Sequence, residues 1–330
     1  MKRQRIILLS GFLLSASLSA DEIFIGKPTL VVEGAGEGPA WHPELGLLFS
    51  GHGGIQRYSR DGRVSVYREK AGTNGLLFDR QGRLMSCEPV RRVFSRTEKD
   101  GTLKVLAERY EGKRFNQPND LTVDSKGRIY FSDPKYGPRD TMEMLDADGK
   151  KIEGVYRIDL NGKVTRILTH EVDRPNGVLV TKDDRYLYVA DNNNNTLDKK
   201  KQVIGNRKLW RFHLNEDGSV DVSSRKLIFD WTDSRGPDGM VQDLEGRIYV
   251  AGGLNKSNPR ETDRHKGGVY VFSPAGKLIA FAEVPKDEVT NCTFGGDDLK
   301  TLYITAGGTL WSVKTKTQGW LPWPKAKENR

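Results

Sequence analysis

The stretch NDLTVDSKGRIYFSD, residues 119–133, holds a polar pair, a short apolar strand, a Gly turn and a second strand rich in Ile, Tyr and Phe. Glycine supplies the positive backbone angle that a tight hairpin demands, and the residues after it suit a pleated, packed surface. The same shape recurs five more times: EGPAWHPELGLLFSG from Glu37, NGLLFDRQGRLMSCE from Asn74, NGVLVTKDDRYLYVAD from Asn176, DGMVQDLEGRIYVAGG from Asp238 and NCTFGGDDLKTLYITAGG from Asn291. A period near 50 residues is the mark of a propeller or a solenoid.

Most copies are followed by two more strands and another turn, as in VYRIDLNGKVTRIL (155–168) and VYVFSPAGKLIAFAEV (269–284). Each unit is then a four-stranded antiparallel meander, and no long amphipathic helix interrupts the series. Six such units predict an all-β, six-bladed β-propeller as one domain over residues 21–330. After GTLWSVKTK (308–316) the sixth copy has no fourth strand left, while PTLVVEG (28–34) stands alone before the first copy. The N-terminal strand is therefore expected to close the last blade.

In a propeller the first strand of every blade lines the central channel. The leading residues Glu37, Asn74, Asn119, Asn176, Asp238 and Asn291 should then form one ring at its mouth. For any one of them the simpler role is a turn residue at a strand start. Six in register make a ring of oxygen acceptors, which is badly desolvated and self-repelling without a cation. Such donors suit one divalent ion, Ca²⁺ first, with Mg²⁺, Mn²⁺ or Zn²⁺ as alternatives.

Second strands return to the same face, so His52, Glu88, Asp133, Asp191 and Gly252-Gly253 are expected to rim the mouth, and His52, Glu88 and Asp133 to meet a ligand. Long polar inserts at 134–153, 192–207 and 254–267 follow three of these strands, and loops on one rim of a rigid scaffold usually carry recognition. The expected site is a polar cup fit for a small hydroxylated molecule.

EGPAWHP, FNQPNDLTVDSKGRIYFSDPKYG, RPNGVLVTKDDRYLYVAD, GPDGMVQDLEGRIYVAG and NCTFGGDDLKTLYITAGGTLW together resemble the senescence marker protein, gluconolactonase and luciferin-regenerating enzyme family, from about Gly34 to Trp311. The resemblance implies a six-bladed propeller with one divalent ion, commonly Ca²⁺, that hydrolyses sugar lactones such as gluconolactone. It places metal ligands on Glu37, Asn176 and Asp238. Asn119 falls on a position that binds the metal or contacts substrate, Asp120 on another substrate-side position, and Arg114 on a substrate-contacting arginine from which QP alters the spacing. Asp238, a ligand with an oxygen to spare, is the expected general base for water attack on the ring carbonyl.

Rival chemistries fit less well. There is no Gly-x-Ser-x-Gly elbow and no His-Glu-x-x-His, and only five His in all, which disfavours serine-hydrolase and zinc-peptidase readings. His42 reads as structural; His52 and His265 are placed on the rim or its loops. A phosphotriesterase on the same metal site and a non-enzymatic propeller that binds a sugar acid remain as alternatives.

The opening MKRQRIILLSGFLLSASLSADE has a basic start, an apolar run from Ile6 to Leu14 and small residues up to Ala20, the layout of a secretory signal over residues 1–20. The run is too short to anchor the chain in a membrane. The product is expected in the periplasm or outside the cell, as a monomer or weak oligomer. Losing Lys2, Arg3 and Arg5 takes three from the net charge of +9 and leaves about +6. The remaining charge is spread along the chain, so no nucleic-acid partner is implied. Export permits a bond between Cys87 and Cys292, although both lie in apolar stretches where two buried thiols are as reasonable.

Overall fold

The computed structural model describes residues 23–194, 197–198 and 203–323. The expected leader, the Lys run at 199–201 and the basic tail lie outside these residues. Six antiparallel sheets stand around one axis, each a four-stranded meander. Their inner strands are Glu37–His42, Leu76–Phe78, Leu121–Val123, Pro175–Val180, Pro237–Asp243 and Val289–Gly295, which define blades 1 to 6. Blades 1 to 5 run in chain order from the inside out, blade 5 gaining a short fifth strand beside its inner one, and blade 6 takes its outer strand from the start of the chain. The architecture is the six-bladed propeller that the repeats predict. Its last blade takes Phe24–Glu33 as the outer strand, with Phe24 opposite Thr315 and Leu30 opposite Trp311.

The repeated turns have one chemistry. In D-x-x-G-R of blades 2, 3 and 5 the Asp carboxylate accepts the N–H groups two and four residues on, and also the Nε–H of the Arg. The Nε–Oδ2 distances are 2.7 Å for Arg83 and Asp79 and 2.6 Å for Arg247 and Asp243. The glycine of the blade 3 turn, Gly127, has φ 85°, and blade 4 puts Asp184 at φ 56° in its own turn. Aspartate is among the few residues that tolerate that region.

Apolar faces of neighbouring blades close on each other. Phe94, Phe115, Phe131 and Tyr156 form an aromatic seam between blades 2 and 3, with ring centroids 5.1–5.5 Å apart. Trp231, Phe229, Tyr270 and Phe272 do the same between blades 4 and 5. Cys87 and Cys292 are each buried as free thiols within this packing.

One element was not legible beforehand. Gly319–Trp320 pairs with the far end of the blade 5 inner strand, Trp320 opposite Gln242. The chain then runs through buried Leu321 to Trp323, whose ring lies 4.6 Å from His42 and 5.7 Å from Phe78. This tail crosses the channel opposite the ring of leading residues. Behind it remains a small cavity of 50 Å³, walled by Leu76, Leu121, Leu179, Met240 and Asp120 among others, room for a water or two. His42 is structural, its Nδ1 accepting the Glu44 and Leu45 N–H groups.

Candidate active site

The inner strands of blades 1, 4 and 5 each carry a ladder irregularity at the leading residue: between Glu37 and Ala40, Pro175 and Val178, and Pro237 and Met240. A bulge re-aims a side chain, and these three bulges aim Glu37, Asn176 and Asp238. The glycine that follows each leading residue is a packing device. A Cβ on Gly38 would lie 2.1 Å from the Asn74 carbonyl, on Gly177 2.1 Å from the Asp238 carbonyl and on Gly239 2.0 Å from the Asn291 amide carbon. Each glycine thus lets its strand touch the next leading residue of the ring. Asn176-Gly177 is strand rather than turn.

The ring holds oxygens with nothing to bind. Oδ1 of Asn74, Asn119, Asn176 and Asp238 are buried and accept no hydrogen bond. Glu37 Oε2 accepts only its neighbour's N–H, from Gly38 at 2.7 Å. Asn291 is different: its Oδ1 accepts the Cys292 N–H at 2.8 Å, and its side chain, beside Glu37 and Asp120, works to lower the pKa of both carboxyls against the burial that raises them. It is a brace between two acids rather than a free donor oxygen.

Burial raises the Glu37 carboxyl well above the usual range, and facing Asp238 and Asp120 raise it further. Burial lifts Asp238 to about 6 against the pull of Arg235, and lifts Asp120 to about 7. Acids so placed ask for a proton or a cation. Among the described residues no three His, Cys, Asp or Glu side chains form a metal-holding group. The donor set here is two carboxylates, Glu37 and Asp238, completed by the amide oxygens of Asn119 and Asn176, and hard, oxygen-only donors of this kind fit Ca²⁺ or a similar ion.

Two neighbours escaped the sequence reading. Tyr136, in the insert after blade 3's second strand, accepts the Asn176 Nδ2–H at 2.9 Å, which turns Asn176 Oδ1 toward the ring. The Arg174 guanidinium lies 5.3 Å over its ring centroid and bonds Glu153 at 2.8 and 3.2 Å. Arg235, three residues before Asp238, donates from Nη2 to Asp238 Oδ2 at 2.8 Å and reaches Glu288 from Nη1 at 3.1 Å. In the sequence, RPNG and RGPDG each place an Arg ahead of a ring residue; that recurrence was the available signal.

The rim residues take other roles than expected. Glu88 is fully buried and bound by Arg68, Arg91 and Ser95. Asp133 is also fully buried, one oxygen accepting the Asn116 N–H and the other that of Gln117, both at 2.8 Å. Asp191 accepts the Asp173 and Arg174 N–H groups in the same way. Both aspartates tie down the segments that deliver Asn119 and Asn176, so Asp133 and Asp191 brace the site from behind, while Glu88 is spent on its own ion pairs. Arg114 sits on a short hairpin and its guanidinium reaches the Arg91 carbonyl at 3.2 Å. His52 is an exposed turn residue whose ring abuts Gly34, and His265 packs edge-on against Phe229 at 5.4 Å. Asp120 lies one residue past the ring and faces the channel cavity. Replacing Asp133 by Asn should leave one of two buried N–H groups facing an NH₂, costing about 1–3 kcal/mol. Chemical denaturation of Asp133→Asn beside the parent checks this.

Fold and ring define a propeller with an oxygen-lined, carboxylate-bearing mouth. Residues 35–308 match the SMP-30/Gluconolactonase/LRE-like region, and the chain belongs to this family. A gluconolactonase of Zymomonas mobilis is 26% identical over 86% of this chain and 79% of its own length. A pentonolactonase of Haloferax volcanii is 28% identical over 83% and 81%. Among solved structures, a gluconolactonase of Xanthomonas campestris superposes with a TM-score of 0.69 at 30% identity, covering 87% of this chain and 89% of that one.

Proposed function

We propose that the protein is a lactonase that opens a sugar lactone of the gluconolactone type with the help of one divalent cation, Ca²⁺ foremost. The observation that carries this reading is the set of buried, unpartnered oxygens on Asn119, Asn176 and Asp238, the last two set, like Glu37, by bulged inner strands. Family membership and the relatives named gluconolactonase and pentonolactonase support the substrate class. The leader-like N-terminus supports action in the periplasm or outside the cell, and the lactonase relatives support a small-molecule substrate.

The ion, when bound, supplies Lewis-acid polarisation of the ring carbonyl and a lowered pKa for the attacking water. Glu37 anchors its charge, and Asn119 and Asn176 offer it their Oδ1 atoms. The Asp238 carboxylate takes a proton from the attacking water as its oxygen bonds the carbonyl carbon, and returns it to the ring oxygen as the bond between that carbon and the ring oxygen breaks. Tyr136 and Asn291 keep the amides and acids of the ring from turning.

A panel of aldonolactones with and without chelator, with metal content measured on the same sample, tests this. Turnover of at least one lactone, lost on chelation and restored by Ca²⁺, is the expected result. Ligand bound without chelator-sensitive turnover would leave a binding propeller; turnover of a phosphotriester alone would leave a phosphotriesterase.

A further inference from the structure

Arg235 is 5% exposed and sits beside the ring, yet it belongs to none of the ring positions. Its two terminal nitrogens are committed to different acids: Nη2 to Asp238 Oδ2 at 2.8 Å and Nη1 to Glu288 Oε2 at 3.1 Å, while Nε is buried without a partner. On Asp238 the division is equally sharp. Oδ2 is held by the guanidinium and Oδ1 is buried with no partner at all. Glu288, on the start of blade 6, has a half-exposed side chain and holds the guanidinium from the solvent side. The Arg235 carbonyl accepts the Gly253 N–H at 3.1 Å, so the backbone is fixed as well. A planar guanidinium bound on two sides is a rigid template for the carboxylate it touches.

We propose that Arg235 is a positioning residue that sets the coordination mode of Asp238: it retains Oδ2 and so offers the ring one oxygen, Oδ1. The inference rests on the reading of the ring as a cation site. Without the guanidinium, the Asp238 carboxylate is free to turn and chelate through both oxygens, as acids around hard cations commonly do. The net charge around the ion becomes more negative by one when the guanidinium is removed, and the carboxylate loses the orientation in which one oxygen meets the ion and the water. Arg235 thereby weakens cation binding and favours turnover. Glu288 works against the first effect, by partly neutralising Arg235.

The test uses the full chain, with Ca²⁺ and Mn²⁺ affinity measured by titration calorimetry, and kcat and KM on whichever lactone the parent opens. In Arg235→Met, cation affinity is expected to rise about tenfold or more, while kcat falls by 10- to 100-fold with KM little changed. Arg235→Lys restores part of kcat, because an ammonium holds one oxygen but lacks the fork. Glu288→Gln, at a half-exposed position that folding tolerates, moves affinity the other way, weakening it several-fold. Weaker cation binding in Arg235→Met with a folded protein, or equal affinity in all variants, overturns the proposal. So does a kcat that falls only in proportion to lost metal. If the parent opens no lactone, the lactonase reading fails, but the opposed affinity shifts still decide the role of Arg235.

Discussion

Asp238→Asn should retain the fold and lose turnover by about 10²–10⁴-fold, the usual contribution of a positioned general base. The substitution is isosteric and its amide oxygen can still accept from Arg235, so thermal unfolding should move little. Two consequences follow from the lost charge. The site keeps one formal negative ligand, Glu37, and cation content should drop. The water on the reacting side loses its proton acceptor, and this loss is not repaired by adding more cation. Activity at saturating Ca²⁺ separates the two: a variant that fills with metal and hydrolyses at the parental rate would remove Asp238 from the role of base. The ring's acids also set a pH limit. Burial and facing carboxyls raise Glu37 well above its ordinary range and Asp238 to about 6. A carboxyl with a raised pKa is ionised only above it, so protons should compete with a bound cation as pH falls, and cation binding should be strongest above that window. Calorimetric titration on either side of about 6 should show affinity falling on the acid side.

Gly177→Ala should be nearly as damaging to function, although residue 177 carries no functional group. A Cβ there meets the Asp238 carbonyl at 2.1 Å, and backbone atoms have nowhere flexible to yield. Overpacking of this kind costs about 1–3 kcal/mol. The displaced atom belongs to a ring residue, and a shift of 1 Å at a reacting group costs about 10²-fold in rate. Stability and kcat of Gly177→Ala should therefore fall together, whereas Gly162→Ala, at a turn where a Cβ meets nothing but φ 83° strains an alanine, should lose some stability and leave kcat intact. A Gly177→Ala protein with parental kcat would show that the ring tolerates movement.

The fold and the register of the site were written in local pattern. Six copies of one hairpin, with turn chemistry such as Asp124-Gly127-Arg128, need only neighbours in sequence to be recognised, and the closing strand followed from counting strands. What local pattern cannot carry is the identity of contacts across blades. Asn291 has the same register as Asn176, yet an amide whose oxygen finds the adjacent Cys292 N–H and which lies beside Glu37 and Asp120 serves as a brace. Asp133 and Glu88 look like rim acids in any linear reading; only folding brings the N–H groups of Asn116 and Gln117, or Arg68, onto them. Tyr136 and Arg235 were hidden for the opposite reason. Tyr136 comes from a loop with no repeat to align and its partner Asn176 lies 40 residues away; Arg235 lies only three residues from Asp238, and its one signal was an Arg recurring ahead of both Asn176 and Asp238.

Blade 6 joins segments far apart in the sequence: Leu30 lies opposite Trp311, so the strand Phe24–Glu33 has no partner in its sheet until residues about 280 positions on are in place. Blades 1 to 5 can gather from neighbouring segments as they appear, but the circle stays an arc until this last pairing, and Glu37 cannot stand against Asp238 and Asn291 before then. Contacts between such distant segments slow folding. A cation that drew the ring's acids together would bind the closed circle and not the open arc, and so would stabilise closure.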